Sequence, residues 1–349
     1  MAPDVVVDAG VIGRRRTGDE TYVREVLTEL GRRDLGFRIV AVVNDSESAP
    51  EGVTGVVLPA GSQFTRLAWQ LPRLLRSLRG QLAHFQYIVP PLYTGPAVVT
   101  VHDMSFELLP ELEDPLDGWA LRRLVPMSVR RARLVFTVSE WTKRDILRRY
   151  DLAPDRVIVT SNGVGKEFRP DGPRPSRPPY MLFVGALRPR KDPVTAFEAF
   201  LRVADLGMQF VMIGPDKGLY RRLRATIERH GAEDRVEIRG YVSREELAAM
   251  YRGAECLVLP SMYEGFGLPV IEAMASGTPV VATTVGAIPE IAGDAAVLVP
   301  PRDPASLAEG IRTAFEQRTQ LAIRGLNRAK LFSWDEVAGR IADGYKSIL

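Results

Sequence analysis

KEFRPDGPRPSRPP, residues 166–179, decides how many folded bodies the chain holds. Five prolines, three arginines and a glycine within fourteen residues cannot continue a helix or a central strand. The stretch reads as a linker. On both sides of it, short β-branched runs alternate with helical patterns. Before it come VVVDAG (5–10), FRIVAVV (37–43), AHFQYI (83–88), AVVTVHD (97–103), LVFTVS (134–139) and RVIVTSNGV (156–164). TYVREVLTEL and EWTKRDILRRY supply helical periods between them. After it come YMLFVGAL (180–187), FVMIGP (210–215), RVEIRGYV (235–242), CLVLPS (256–261), PVVATT (279–284) and AAVLVPP (295–301), again with helical stretches between. This alternation predicts βαβ units on parallel sheets, so the fold class is α/β with two doubly wound, Rossmann-like domains. The expected division is residues 1–168, a linker at 169–179, and residues 180–334. A final amphipathic helix, 335–349, is expected to cross back to the first domain, with Trp334 at the crossing.

A length of 349 residues also exceeds one ordinary core. Hydrophobic residues at 46% and charged residues at 26% suit a globular chain. The one cysteine, Cys256, excludes an internal disulfide and reads as a small core residue, which fits a reducing compartment. MAPDVVVDAGVIG reads as a strand rather than a signal peptide, and no apolar run reaches the ~20 residues of a membrane-spanning helix. The expected location is therefore cytoplasmic. A net charge of +3, with no basic stretch interleaved by aromatics, argues against a nucleic-acid partner. FTRLAWQLPRLLRSLRG (64–80) is basic and amphipathic. It admits two readings: a helix packed on the sheet with a solvated basic face, or weak peripheral contact with anionic membrane at its inner face.

In doubly wound sheets ligands bind beyond the carboxyl ends of strands, so residues just after strands carry the chemistry, and two such domains would meet at an interdomain cleft. VGALRPRKDP (184–193) follows a strand. Gly185 permits close backbone approach, and Arg188, Arg190 and Lys191 gather three cations suited to a diphosphate, or simply form a solvated basic turn. EGFGLPVIEAM (264–274) follows the strand of CLVLPS. Gly265 and Gly267 can expose the amides of Phe266 to Leu268, and Pro269 suits a helix start. On an unbroken helix Glu264 and Glu272 would point roughly 80° apart, so with a loop between them they can reach different parts of one extended ligand. The alternative is a capping Glu264 and a surface Glu272.

Taken together, VGALRPRKD and PSMYEGFGLPVIEAMASGTPVVAT (260–283) resemble the retaining nucleotide-sugar glycosyltransferases of the GT-B fold, family 4. GVIGRRRTGDETYVREVL (10–27), VTVHDMSFELLPE (99–111), TVSEWTKRDI and SNGV point to the same family, nearest its O-antigen mannosyltransferase-like branch. The resemblance implies an acceptor-binding first domain and a nucleotide-sugar-binding second domain. It implies that Glu272 accepts from the ribose hydroxyls, and that Glu264 lies at the donor sugar. The amides of Phe266, Gly267 and Leu268 would hold sugar or phosphate oxygens. Arg190 and Lys191 would bind the diphosphate, with Arg188 beside them, since Ala186 stands where many relatives carry arginine. Gly18 would sit in a loop against the phosphates. His102 would touch the donor sugar, and Asp103 would face the acceptor. His84 and His230 read as ordinary residues. No Asp-x-Asp motif occurs, so no metal and no cofactor is expected. The implied function is transfer of a hexose, GDP-mannose being the first donor expected and a UDP-sugar the second, to a glycan, lipid-linked or small-molecule acceptor. A nucleotide-sugar 2-epimerase or a non-catalytic sugar-nucleotide-binding protein of the same fold are the alternatives.

Overall fold

A computed structural model describes residues 4–14, 17–59, 61–62, 65–78, 80–112 and 115–349, apart from the side chains of Thr17, Pro115 and Asp117. Two units emerge: Met1–Gly163 with Ser333–Leu349, and Val164–Phe332.

The first unit is built on seven parallel strands: β1 (Asp4–Asp8), β2 (Arg38–Val43), β3 (Thr54–Val57), β4 (Leu82–Gln86), β5 (Ala97–Val101), β6 (Leu134–Thr137) and β7 (Val157–Val159). Their order is β3-β2-β1-β4-β5-β6-β7. Central strands such as β5 are buried along their whole length, which is why they read as unbroken apolar runs. The helix Trp334–Lys346 belongs to this unit. Its Tyr345 hydroxyl lies 2.6 Å from His84 Nδ1, and His84 Nε2 lies 2.7 Å from Thr100 Oγ1. Burial pushes the His84 imidazole down to about 3, with His102 nearby adding to the shift. The ring is therefore a neutral core group.

The second unit has β8 (Tyr180–Val184), β9 (Gln209–Ile213), β10 (Val236–Arg239), β11 (Cys256–Leu259), β12 (Val280–Thr283) and β13 (Val297–Val299), in the order β10-β9-β8-β11-β12-β13. Counted within the unit this is 3-2-1-4-5-6, the dinucleotide-fold order, with its reversal between β8 and β11. Phe183, Phe197, Phe200, Phe210, Val258 and Ile311 are among its core. Cys256 is buried there, and burial pushes its thiol up to about 12, so it is inert packing.

The segment 166–179, read as a linker, is grouped with the second unit. Arg252, buried on the helix Arg244–Gly253, donates to the carbonyls of Pro173 at 2.9 Å and Glu167 at 3.2 Å, fixing the segment to the second unit. Proline removes backbone donors but leaves carbonyls, and a buried guanidinium needs acceptors. In the stretch 64–80 the apolar side packs inward, as the first of its two readings expects, but one arginine is misplaced by that reading. Phe64 and Arg79 lie outside the described residues; Leu71 and Leu75 are buried in the core, which takes up that stripe. Arg66, expected on the solvated side, is 3% exposed and donates to Asp8 at 2.6 Å and to the Leu58 carbonyl. Among the described residues no helix is long and apolar enough to cross a membrane.

Candidate active site

β8 and β11 are hydrogen-bonded neighbours, with Met181 opposite Cys256 and Leu182 opposite Leu257. The loops that follow them therefore emerge side by side, at the point where the strand order reverses. This brings the two motifs of the second unit together. Lys191 Nζ donates to Glu264 Oε1 at 2.5 Å, and Ser261 Oγ donates to the same oxygen at 2.6 Å. Arg190 is buried and donates to the Tyr263 carbonyl at 3.1 Å, while its own carbonyl accepts from the Met262 amide at 2.8 Å. Arg188 is half-buried and opens the short turn Pro189–Lys191. Asp192 ends that turn with φ 48° and caps the helix Pro193–Arg202 by accepting from the Thr195 amide.

Burial alone would raise the Glu264 carboxyl. The Lys191 and Arg190 cations, with hydrogen bonds from Lys191 and Ser261, outweigh it and hold the group below the usual carboxylate range. Glu264 is thus an ion in a closed setting. Its backbone is fixed by Ala287, whose amide donates to the Glu264 carbonyl at 2.9 Å. Gly286 makes this approach possible: with φ +55°, a Cβ there would lie 2.2 Å from that same oxygen.

Gly267 is the N-cap of the helix Leu268–Ala275 at φ +98°, and a Cβ there would lie 2.6 Å from Ile288 Cδ1. Gly265 and Phe266 are buried, the Phe266 ring meeting Phe332 edge-on at 5.7 Å, and Leu268 is partly exposed. A Cβ at Gly185 would meet only ordinary contacts at 3.6 Å, from the Lys191 stem, while one at Gly214 would lie 2.0 Å from the Gly185 carbonyl oxygen.

Glu272 sits one turn into the helix and is buried, not a surface residue. It accepts from the Tyr251 hydroxyl at 3.0 Å. Burial raises its carboxyl to about 7, against the opposing Arg244 charge and Tyr251 hydrogen bond, while the Glu167 charge adds to the rise. Arg244 is itself ion-paired to Glu167. The two glutamates therefore differ in kind: one is held charged, the other titrates near neutrality.

In the first unit His102 and Asp103 follow β5 directly. His102 is 8% exposed, and Tyr22 meets its ring edge-on at 4.8 Å. Burial lowers its basicity, against the opposing charges of Asp19 and Asp103. Its Nε2 lies 2.8 Å from Gln86 Oε1. This contact engages Nε2 and leaves Nδ1 as the ring nitrogen turned away from Gln86. Asp103 accepts from the Ser105 amide and hydroxyl at 3.0 and 2.8 Å, which shapes the turn after β5. Gly18 is not in a loop: it lies in the first turn of the helix Thr17–Gly31, beside Asp19, whose charge reaches His102.

The family model described as Glycosyltransferase Family 4 matches residues 16–168, and that described as Glycosyl transferases group 1 matches residues 165–330. The O-antigen chain mannosyltransferase B of Escherichia coli is 29% identical over 300 residues, covering 80% of this chain and 77% of that protein. The MMP alpha-(1->4)-mannosyltransferase of Mycolicibacterium hassiacum is 30% identical over 308 residues, covering 79% of this chain and 74% of its own length. The chain is a GT-B glycosyltransferase of family 4. The fold of this glycosyltransferase is shared by the sucrose-phosphate synthase of Thermosynechococcus elongatus, with a TM-score of 0.76 at 22% identity over 100% of this chain and 99% of that one.

Several polar partners in the glycosyltransferase escape its sequence. Ser261 has a weak signal, being the first polar residue after CLVL. Tyr251 reads as an ordinary helix residue in AAMYRGA, and Gln86 as the end of a strand; each is revealed only when elements distant in sequence pack together. Among the described residues of the glycosyltransferase, no group of three or more His, Cys, Asp or Glu side chains is placed to hold a metal ion.

Proposed function

We propose that this glycosyltransferase moves a hexose, with retention of configuration, from a nucleoside-diphosphate sugar to a glycan, lipid-linked or small-molecule acceptor. GDP-mannose is the first donor and a UDP-sugar the second. The observation that carries the reading is the buried cluster of Lys191, Glu264 and Ser261 beside Arg190. Departure of a nucleoside diphosphate develops negative charge, and fixed cations act where that charge appears. Arg190 and Lys191 fill this role, with Arg188 at the entrance of the turn and no metal required. Glu264, kept ionised by the same cations, faces the donor sugar. The amides from Phe266 to Leu268 hold its oxygens at the helix start. Glu272, eight residues on, takes the ribose hydroxyls. His102 offers Nδ1 to a sugar hydroxyl, Gly18 lies on the phosphate side, and Asp103 faces the acceptor. Mannose is favoured because both relatives named above are mannosyltransferases. On this reading the enzyme works in the cytoplasm or peripherally at the inner face of the cell membrane.

Thermal-shift measurements across GDP- and UDP-sugars test the donor, with GDP-mannose expected to give the largest stabilisation. Nucleotide release in the presence of EDTA tests metal independence, and the anomeric configuration of the product tests retention. An absence of stabilisation by any nucleotide sugar would sink the donor reading.

A further inference from the structure

The imidazole of a histidine turns about a broad, roughly two-fold torsion, so its neighbours must set the plane of the ring. For His102 those neighbours come from distant parts of the chain. The Gln86 side chain meets Nε2 at the end of β4. Next to it the Tyr87 ring stands 5.5 Å away, tilted by 53°. The Tyr87 backbone has φ 60°, a conformation that non-glycine residues seldom adopt. From the helix Thr17–Gly31, Tyr22 sets its ring at 84° to the imidazole.

Tyr22 is itself held at both ends. Its hydroxyl lies 3.0 Å from Thr160 Oγ1, just beyond β7, and both groups are buried. Burial pushes that hydroxyl up to about 12, so it does not titrate near neutrality. Its ring meets Trp334 at 6.0 Å and 71°. Trp334 opens the returning helix, directly after the chain re-enters the first unit at Ser333. It is seated on Gly163, where the chain leaves that unit. A Cβ at Gly163 would lie 2.3 Å from the Trp334 amide nitrogen and 2.7 Å from its Cγ. A buried indole fitted between backbone and a fixed tyrosine cannot shift without moving them.

We propose that Tyr22 and Trp334 are positioning residues for the transfer reaction. Trp334, seated on Gly163, holds the Tyr22 ring, and Tyr22 sets the plane of the imidazole that meets the donor sugar. The proposal rests on the reading of His102 as a sugar contact. It gives the returning helix a part in turnover beyond its part in the fold.

The chain has three histidines, so imidazole resonances can be assigned by substitution and read the geometry directly. Tyr22→Leu and Trp334→Leu are both expected to shift the His102 resonances. Those of His84, bonded to Tyr345 of the same helix, should stay in place. Should Trp334→Leu release the helix, seen as a shift at His84, Trp334→Phe takes its place. Turnover is read per folded molecule, as nucleotide release from the nucleotide sugar that stabilises the protein most. It should fall about tenfold in Tyr22→Leu and in the Trp334 variant, the scale of a displacement below about 1 Å. Tyr22→Phe keeps both ring contacts and should stay within about threefold of the wild type. In a His102→Ala background Tyr22→Leu should cost nothing further, because effects exerted through one group are not additive. Unmoved His102 resonances overturn the proposal. So does an equal loss from Tyr22→Leu with and without His102, which would mark Tyr22 as packing alone. Wild-type turnover by His102→Ala would overturn it through the reading of His102 instead, and the resonances tell the two failures apart.

Discussion

Lys191 Nζ meets Glu264 Oε1 at 2.5 Å although the two residues lie 73 positions apart. Both side chains are largely buried, at 15% and 7% exposure. Removing one partner of a buried pair strands the other charge, at about 3–5 kcal/mol. Lys191→Ala is therefore expected to lower the melting temperature and, with Lys191 in its proposed role at the leaving group, to cut turnover by about 100-fold or more. Lys191→Met combined with Glu264→Gln should recover much of the stability and none of the turnover. Calorimetry alongside nucleotide-release assays checks both, and wild-type transfer by Lys191→Ala would remove the site assignment.

Glu272 predicts a pH dependence of nucleotide affinity. Its folded value of about 7 exceeds the ordinary 4.5. Between these values the folded protein holds a proton that the unfolded chain has released, so this group's contribution to stability declines as pH rises from about 4.5 through about 7. If Glu272 accepts from the ribose hydroxyls as proposed, nucleotide binding should strengthen across the upper part of that window. Titration calorimetry with GDP at pH 6 and pH 8 reads the change. Glu272→Gln should abolish it. Tyr251→Phe removes a hydrogen bond that lowers the group, and should move the midpoint upward.

Gly286→Ala is expected to disturb the site from behind. The new methyl group would meet the Glu264 carbonyl, in a backbone conformation that non-glycine residues resist. The expected cost is about 1–3 kcal/mol with about a tenfold loss of turnover, because Glu264 shifts relative to Lys191. A variant with full activity would show that the Glu264 loop tolerates displacement.

Tyr345→Phe leaves His84 Nδ1 buried without its hydroxyl partner, at about 1–3 kcal/mol. Turnover per folded molecule should stay at the wild-type level. His84 also shapes the acid limb. Its folded value of about 3 lies below the ordinary 6.5, so the unfolded chain binds the extra proton between them and this group's stability is lost as pH falls through that range. From about 4.5 to 6.5 this slope opposes that of Glu272. Stability curves for Glu272→Gln should therefore rise more steeply with pH over that interval than those of the wild type.

How much of this was legible in the sequence depended on where each residue finds its partner. The helix Glu140–Tyr150 could be read from EWTKRDILRRY, because its period and its Ser139 cap are local. Strand β3 could not: its residues are mostly exposed and carry no alternation. The helix Pro115–Arg131 was hidden by Pro126 in its interior and by an apolar stripe shared between core and surface. Arg66 was misplaced because helical periodicity assigns cations to solvent, and only the fold reveals Asp8 waiting beneath. The two site motifs could be recognised by resemblance, but that Glu272 titrates near neutrality while Glu264 stays charged follows from burial and partners that sequence spacing does not encode.

The helix Trp334–Lys346 carries a consequence for how the molecule is made. During synthesis, residues 1–163 emerge first, yet their unit lacks the segment that supplies Tyr345 and Trp334 to its interior. The second unit is continuous in sequence and can finish first. The earlier-made part of this unit must therefore wait, with His84 and Phe136 uncovered, until residues 333–349 arrive. Nascent chains stalled before residue 333 should expose that surface to chaperones, and the amino-terminal half, not the carboxy-terminal one, should govern the yield of folded enzyme.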